Sequence, residues 1–581
     1  MEQYYTSERN VQILIALLKE HGIKRVVASP GSTNVTFVGS LQQDPFFEMY
    51  SCVDERSAAY MACGMAAESG EPVVLSCTGA TASRNYFPAL TEAFYRKLPI
   101  LAVTSTQDEN KIGHLVAQVI DRTCQPKDTV VCSVHMQTIH DENDAWDCNV
   151  KANKAILALR HRGGGPVHIN LTTTYSRDFT IKTLPPQRVI RRFLPTDSLP
   201  IIPKGKVAIF CGSHLRWSEE EIKAVDYFCH IYNAVVFTEP GANYTGKYKV
   251  AYSLMSQQSV DDANRYPDLL IHIGNMSDFP NIVQPQKEVW RVSEDGLIVD
   301  RYKTLTNVFE MHELDFFEHY TQNIDAVGND SYLAKCRETQ QRIWNSIPDL
   351  PFSHLWVANR LYDKLPKNSV LHLGILSPLR SWGYFDIDNS IDVFCNEGGF
   401  GIDGNLSTLI GASLIHPDKL YFGVVGDLSF FYDMNSLGNR HIGNNVRIIL
   451  INNSLGAEFL LFKQQNIISC VNNIEPYISA ERHFGCQSPI LVRHYAEDLG
   501  FEYMSATNKE EFDKVYSKFV NPQLSEKPII LEVFTQVEDE NEALHRMYNI
   551  ETSAKKKIKQ ALRSIFGDDA IKFGKKIIGA N

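Results

Sequence analysis

The chain has no Cys-x-x-Cys pair, no excess of basic charge, and no apolar run as long as the ~18–20 residues a bilayer span needs. Its twelve cysteines lie scattered from Cys52 to Cys486. With an N-terminus, Met1-Glu2-Gln3, that carries neither a basic nor an apolar leader, this spacing argues for reduced thiols in a cytoplasmic protein. A formal net charge of −11 argues against a general nucleic-acid binder, because phosphate recognition wants a basic surface. No short-period repeat is present. Between Val207 and residue 320 no G-x-G-x-x-G follows a strand pattern, so that segment carries no dinucleotide fingerprint.

What is present is an ordinary globular composition, 44% hydrophobic and 22% charged, in a chain of 581 residues, too long for one core. Strand patterns alternate with helical ones, which predicts an α/β protein of doubly wound parallel sheets. Residues 1–180 form one such domain, with strands expected at Arg25–Ala28, Pro72–Cys77, Leu98–Thr104 and Pro166–Leu171 and an amphipathic helix at Val11–Leu18. A proline-rich linker, 181–203, leads to a central α/β domain, 204–322, and a polar helical bridge, 323–349, leads to a third domain, 350–545. Residues 546–581 are a basic amphipathic tail. In Ser553–Ile578 lysines alternate with Ile558, Leu562, Ile565, Phe566 and Ile571, so the tail suits packing over its own subunit, docking on a partner protein, or lying on an anionic membrane.

Two places carry chemistry. In the third domain an apolar run, Leu420–Val425, stops at Gly426-Asp427, and a second, Val446–Ile451, stops at Asn452-Asn453, with 24 residues between Asp427 and Asn452. Parallel strands ending side by side would put oxygen donors where α/β sheets collect ligands and where a hard cation carrying a diphosphate binds. Two plain strand-end turns read the same way. In the first domain Val53-Asp54-Glu55-Arg56 opens a helix, where an acid is also favoured simply by the helix dipole.

The combination resembles thiamine diphosphate-dependent enzymes, most closely the 2-succinyl-5-enolpyruvyl-6-hydroxy-3-cyclohexene-1-carboxylate synthase family of the menaquinone pathway. The matching stretches are SPGS (Ser29–Ser32), VDERSAA (Val53–Ala59), NYFPALTEA (Asn85–Ala93), GIDGNLST (Gly401–Thr408) and GDLSFFYDMNSL (Gly426–Leu437), followed by the Asn-Asn pair. The resemblance implies pyrimidine-binding, central and diphosphate-binding domains. Glu55 would be the acid at the aminopyrimidine, where a carboxyl drives the proton shift that activates the cofactor. Ile402 would be the aliphatic prop under the cofactor, a role equally open to an ordinary core isoleucine, and Phe400 would accept a hydrogen bond through its carbonyl. Asp427, Asn453 and the Leu455 carbonyl would bind Mg²⁺, or Mn²⁺, bridging to the diphosphate. Ser29, Pro30, Gly31, Thr78, Gly401, Gly426, Leu428 and Ser429 complete the implied cofactor contacts. Flavin adenine dinucleotide, which some relatives hold centrally, is not expected.

The implied activity is a decarboxylating carboligation, adding the acyl-anion equivalent of a 2-oxo acid to a carbonyl or alkene acceptor. A simple decarboxylase releasing an aldehyde and a catalytically silent binding protein are the alternatives. The family also implies active sites between chains, hence a homodimer or a pair of dimers. The recognition shell departs from the pattern. Arginines that grip substrate carboxylates in the family are replaced by Thr33 (beside Ser32), Gln107 and Glu397, and only Arg380 keeps its place. Gln118 keeps its family position near the substrate. His114, one turn earlier, is either a proton relay or a loop histidine.

Overall fold

The computed structural model describes residues 4–322, 324, 328–461, 477–480 and 488–551, so the basic tail from residue 552 onward lies outside the described residues. The chain divides into two units: residues 1–199 with 295–310, and 200–294 with 311–581.

The first unit is built on six parallel strands, β1 (Arg25–Ala28), β2 (Glu48–Ser51), β3 (Val73–Cys77), β4 (Ile100–Thr106), β5 (Cys132–Met136) and β6 (Val167–Thr172), ordered β2-β1-β3-β4-β6-β5. β3, β4 and β6 are buried along their whole length, as strands covered by helices on both faces must be. Ala28 pairs with both Ser51 and Ser76, so the loops opening at Ser29, Cys52 and Thr78 leave neighbouring strands. The chain's order reverses between β1 and β3, the position at which doubly wound sheets open a crevice. A short strand in the linker, β7 (Arg191–Phe193), pairs in parallel with β13 (Leu305–Phe309), which is how residues 295–310 come to belong with this unit.

The expected amphipathic helix runs from Arg9 to Glu20, and its residues Asn10–Leu18 are all buried. Its polar members are satisfied inside: the Asn10 amide donates to the Thr172 carbonyl at 2.8 Å and that of Gln12 to the Thr6 carbonyl at 2.7 Å.

In the second unit β8 (Val207–Cys211), β9 (Val235–Thr238), β10 (Lys249–Ala251), β11 (Leu269–Ile273) and β12 (Glu288–Val292) lie parallel in the order β10-β9-β8-β11-β12. The polar bridge is a helix, Ser331–Trp344. A third parallel sheet follows, ordered β15-β14-β16-β17-β19-β18, with β14 at Val370–Leu373, β15 at Asp392–Cys395, β16 at Tyr421–Gly426, β17 at Val446–Asn452, β18 at Glu502–Ala506 and β19 at Ile529–Phe534. Gly426 pairs with Ile451, so Asp427 and Asn452-Asn453 leave adjacent strands at the same height.

Candidate functional site

The end of β16 and β17 is a nest of backbone donors around one carboxylate. Asp427 opens the helix Asp427–Asp433 and is 5% exposed. One of its oxygens accepts from its neighbour Leu428 N–H at 2.7 Å. Burial pushes this carboxyl up to about 6, while the amides of Leu428, Ser454, Asn453 and Leu455 pull the other way. Asp427 Oδ2 and Asn453 Oδ1 are both buried without a hydrogen-bond partner. Buried acceptors are rarely left so, and two of them beside a ring of amides match the oxygen donors a divalent cation takes. The donor set therefore fits the implied metal and diphosphate.

The neighbouring loop is held to this nest by side chains. Asn405 donates to the Ile402 carbonyl at 3.0 Å and to Ser429 Oγ at 2.7 Å, and Ser429 Oγ donates to the same carbonyl at 2.6 Å. Phe400, 41% exposed, sits at φ 52°, and Ser454 at φ 68°, both in the left-handed region. From below, the Asn452 amide donates to Glu532 at 2.7 Å and its Oδ1 accepts from Ser454 N–H at 3.1 Å, fixing the turn that carries Asn453 and Leu455. Phe400, Gly401, Ile402, Gly426, Asp427, Leu428, Ser429, Asn453 and Leu455 are thus all on segments at this sheet end, the Phe400–Ile402 loop tied to the others through Ser429.

The substrate residues proposed in this unit are placed differently. Arg380, on the helix Ser377–Trp382, is committed to two acids: its Nε donates to Asp278 at 2.7 Å, its Nη2 to the same carboxylate at 3.2 Å, and its Nη1 to Glu458. Glu397 is 2% exposed, with neither oxygen in a hydrogen bond of ordinary geometry. Burial and then the charge of Asp278 push it up to about 7, against Ser213 and the Asp278 amide. Sequence reasoning missed Asp278 and Glu458. Glu458 stands three residues beyond Leu455, the one signal that could have found it.

In the first unit the loops after β1, β2 and β3 carry the other set. Ser29 is buried, while Pro30, Gly31 and Ser32 are exposed. A Cβ on Gly31 would lie 1.8 Å from Thr78 Cγ2, so only glycine lets these two loops approach. Asp54 caps the helix Glu55–Ser69 by accepting from Ser57 N–H at 2.8 Å, leaving Glu55 half-buried on the first turn. Around it Val53, Tyr60 and Met61 are exposed apolar side chains, Val53 by 78%.

Thr33 is buried and donates to the Ser105 carbonyl, and Gln107 bonds Tyr175 at 3.0 Å and Lys111 at 2.8 Å. His114 and Gln118 are exposed, Gln118 at φ 66°. Also missed was Arg122, which is 2% exposed and donates to Asn170 at 2.6 Å, with Nη1 unpartnered and no ion pair among the described residues. Burial pushes it down to about 10.

Residues 9–124 match the model of the thiamine pyrophosphate enzyme N-terminal TPP-binding domain. The chain is 32% identical to the 2-succinyl-5-enolpyruvyl-6-hydroxy-3-cyclohexene-1-carboxylate synthase of Phocaeicola vulgatus, over 94% of this chain and 99% of that protein. It belongs to that synthase family. The synthase of Bacteroides fragilis is 30% identical over the same shares. Among the described residues no helix is long and apolar enough to cross a membrane.

Proposed function

We propose that this protein is a thiamine diphosphate- and Mg²⁺-dependent decarboxylating carboligase, using a 2-oxo acid as donor and substrates other than those of the menaquinone synthase. The carrying observation is the pair of partnerless buried acceptors, Asp427 Oδ2 and Asn453 Oδ1, at adjoining strand ends of a synthase-family chain. Asp427, Asn453 and the Leu455 carbonyl would hold the metal, with Mn²⁺ as a substitute, and the amides of the nest would be donors for the diphosphate. When bound, thiamine diphosphate supplies the nucleophilic carbon that makes loss of CO₂ from a 2-oxo acid possible.

With the cofactor bound, Glu55 would keep a proton at the aminopyrimidine nitrogen, Ile402 would support the ring and the Phe400 carbonyl would accept from its amino group. Gln118 and His114 would serve the substrate in the first unit, where Thr33, beside Ser32, and Gln107 stand in place of the family's carboxylate-gripping arginines, as Glu397 does in the second. The exposed apolar side chains around Glu55 suit cover by a second copy of the chain, giving a homodimer or a pair of dimers with sites between chains, in the cytoplasm.

The test is CO₂ release from a panel of 2-oxo acids, with and without aldehyde acceptors, by wild type and Glu55→Gln. CO₂ that depends on Glu55 together with a ligated product supports the reading. Stoichiometric free aldehyde makes the protein a simple decarboxylase, and no CO₂ from any pair makes it a silent binding protein.

A further inference from the structure

The second unit holds a cavity of about 250 Å³ lined by residues that follow the carboxyl ends of β14 and β17, among them Glu458 three positions after Leu455, and by the helix Val537–Tyr548. Asp278, Arg380 and Glu458 line it, with Ser377, Gln257 and Tyr384 among the polar groups between them. Among the described residues its single cation, Arg380, is already used. Both faces of the Arg380 guanidinium are occupied, by Asp278 and Glu458, and the triad keeps one net negative charge. Ser377 Oγ donates to Glu458 Oε2 at 3.1 Å, so the hydroxyl that could have met an anion also serves the acid. Next to Asp278, behind the cavity's lining, stands Glu397, 2% exposed, whose carboxylate is approached by Ser213 and the Asp278 amide. What the lining presents to a ligand is therefore carboxylate acceptors, Asp278 and Glu458, which a hydrogen-bond donor can meet.

We propose that this cavity is the acceptor pocket and that its ligand is a hydrogen-bond donor, hydroxylated or amine-bearing, and not a carboxylate. The assignment of the cavity to the acceptor rests on the function proposed above; its ligand chemistry rests on the lining alone. A carboxylate entering here meets two like charges and no free guanidinium, whereas hydroxyls or an ammonium pair with acceptors already in place. The exchange of grip for repulsion gives specificity by exclusion of acidic substrates as much as by attraction of polar ones.

The experiment is calorimetric titration of the full chain with glucosamine, glucose and succinate as probes, with and without thiamine diphosphate and Mg²⁺. Wild type is expected to take up a sugar and to ignore succinate. Glu458→Gln, which releases one face of Arg380, is expected to lose at least about tenfold in sugar affinity and to gain at least about tenfold for succinate. Asp278→Asn releases the other face and serves as the second variant if the first does not fold, as thermal denaturation would show. A preference of about tenfold or more for glucosamine over glucose assigns an amine, and equal binding assigns hydroxyls. Succinate bound more tightly than either sugar by wild type, or no sugar binding at all, overturns the proposal. The sugar titration without cofactor separates the two readings: failure of cofactor binding sinks the function and leaves this result standing, and the reverse holds equally.

Discussion

The sheet end of the first unit and that of the second treat buried charge in opposite ways. In the second, Arg380 sits between two carboxylates, and Asp427, Glu397 and Glu540 are acids buried at 7% exposure or less. In the first, Arg122 is a buried cation without an acid partner among the described residues, and the one acid of interest, Glu55, stands half-buried on an open face. The difference separates charge built for structure from charge built for a ligand. Arg380 is saturated and holds two elements together, while Asp427 and Asn453 keep acceptor atoms unmatched in a rigid nest. Glu55 is rigidly placed by its helix cap but left uncovered, as a group completed by another surface would be.

The strongest way to break this contrast is Glu55→Gln. Loss of the carboxyl should lower CO₂ release by about 10²–10⁴-fold, the usual range for a general acid–base group, with thiamine diphosphate and Mg²⁺ affinity nearly unchanged. Equal losses in rate and affinity would make Glu55 a binding residue.

Next is the comparison of the arginines. Arg380→Met leaves Asp278 and Glu458 uncompensated and should cost about 3–5 kcal/mol in denaturant unfolding. Arg122→Met removes a cation that no acid balances and should change stability by less than about 1 kcal/mol, since the desolvation it relieves offsets the lost Asn170 bond. Similar costs for the two would erase the distinction.

Between them in size lies a pH effect. Burial pushes Glu540 from 4.5 up to about 7, although the His354 amide and Thr535 hydroxyl, at 2.8–3.1 Å, hold it down. A raised carboxyl binds its proton more tightly in the folded chain. The stability is therefore fully present below about pH 4.5 and is lost as pH rises through about 7, by about 3 kcal/mol. Glu540→Gln should flatten that part of the stability profile, and the unchanged slope of wild type would assign the loss to another group.

Much of this was legible beforehand, for physical reasons. Runs such as Val446–Ile451 ended by Asn-Asn read as buried parallel strands, and the register of β16 on β17 brings the two motif ends together as their spacing implied. β5, Cys-Ser-Val-His-Met, and β18, Glu-Tyr-Met-Ser-Ala, were missed because edge strands are half-exposed and carry no apolar run. The helix Arg9–Glu20 looked two-faced because Asn10 and Gln12 are polar, and only their hydrogen bonds to distant carbonyls explain their burial.

At the site, the metal and cofactor residues follow local motifs, whereas the partners of Arg380 lie 102 and 78 positions away. No periodicity connects such residues. The resemblance implies that carboxylate-gripping arginines have gone; that Arg380 is neutralised by Asp278 and Glu458 needed three dimensions.

The central claim is that the nest at the ends of β16 and β17 binds a divalent cation with a diphosphate. The most direct measurement is calorimetric titration of metal-stripped protein with thiamine diphosphate, with and without Mg²⁺, for wild type and Asp427→Asn. The account predicts saturable binding that requires Mg²⁺ and weakens by about 2–5 kcal/mol in the variant. Binding that ignores Mg²⁺ and Asp427, or no binding at all, would contradict it.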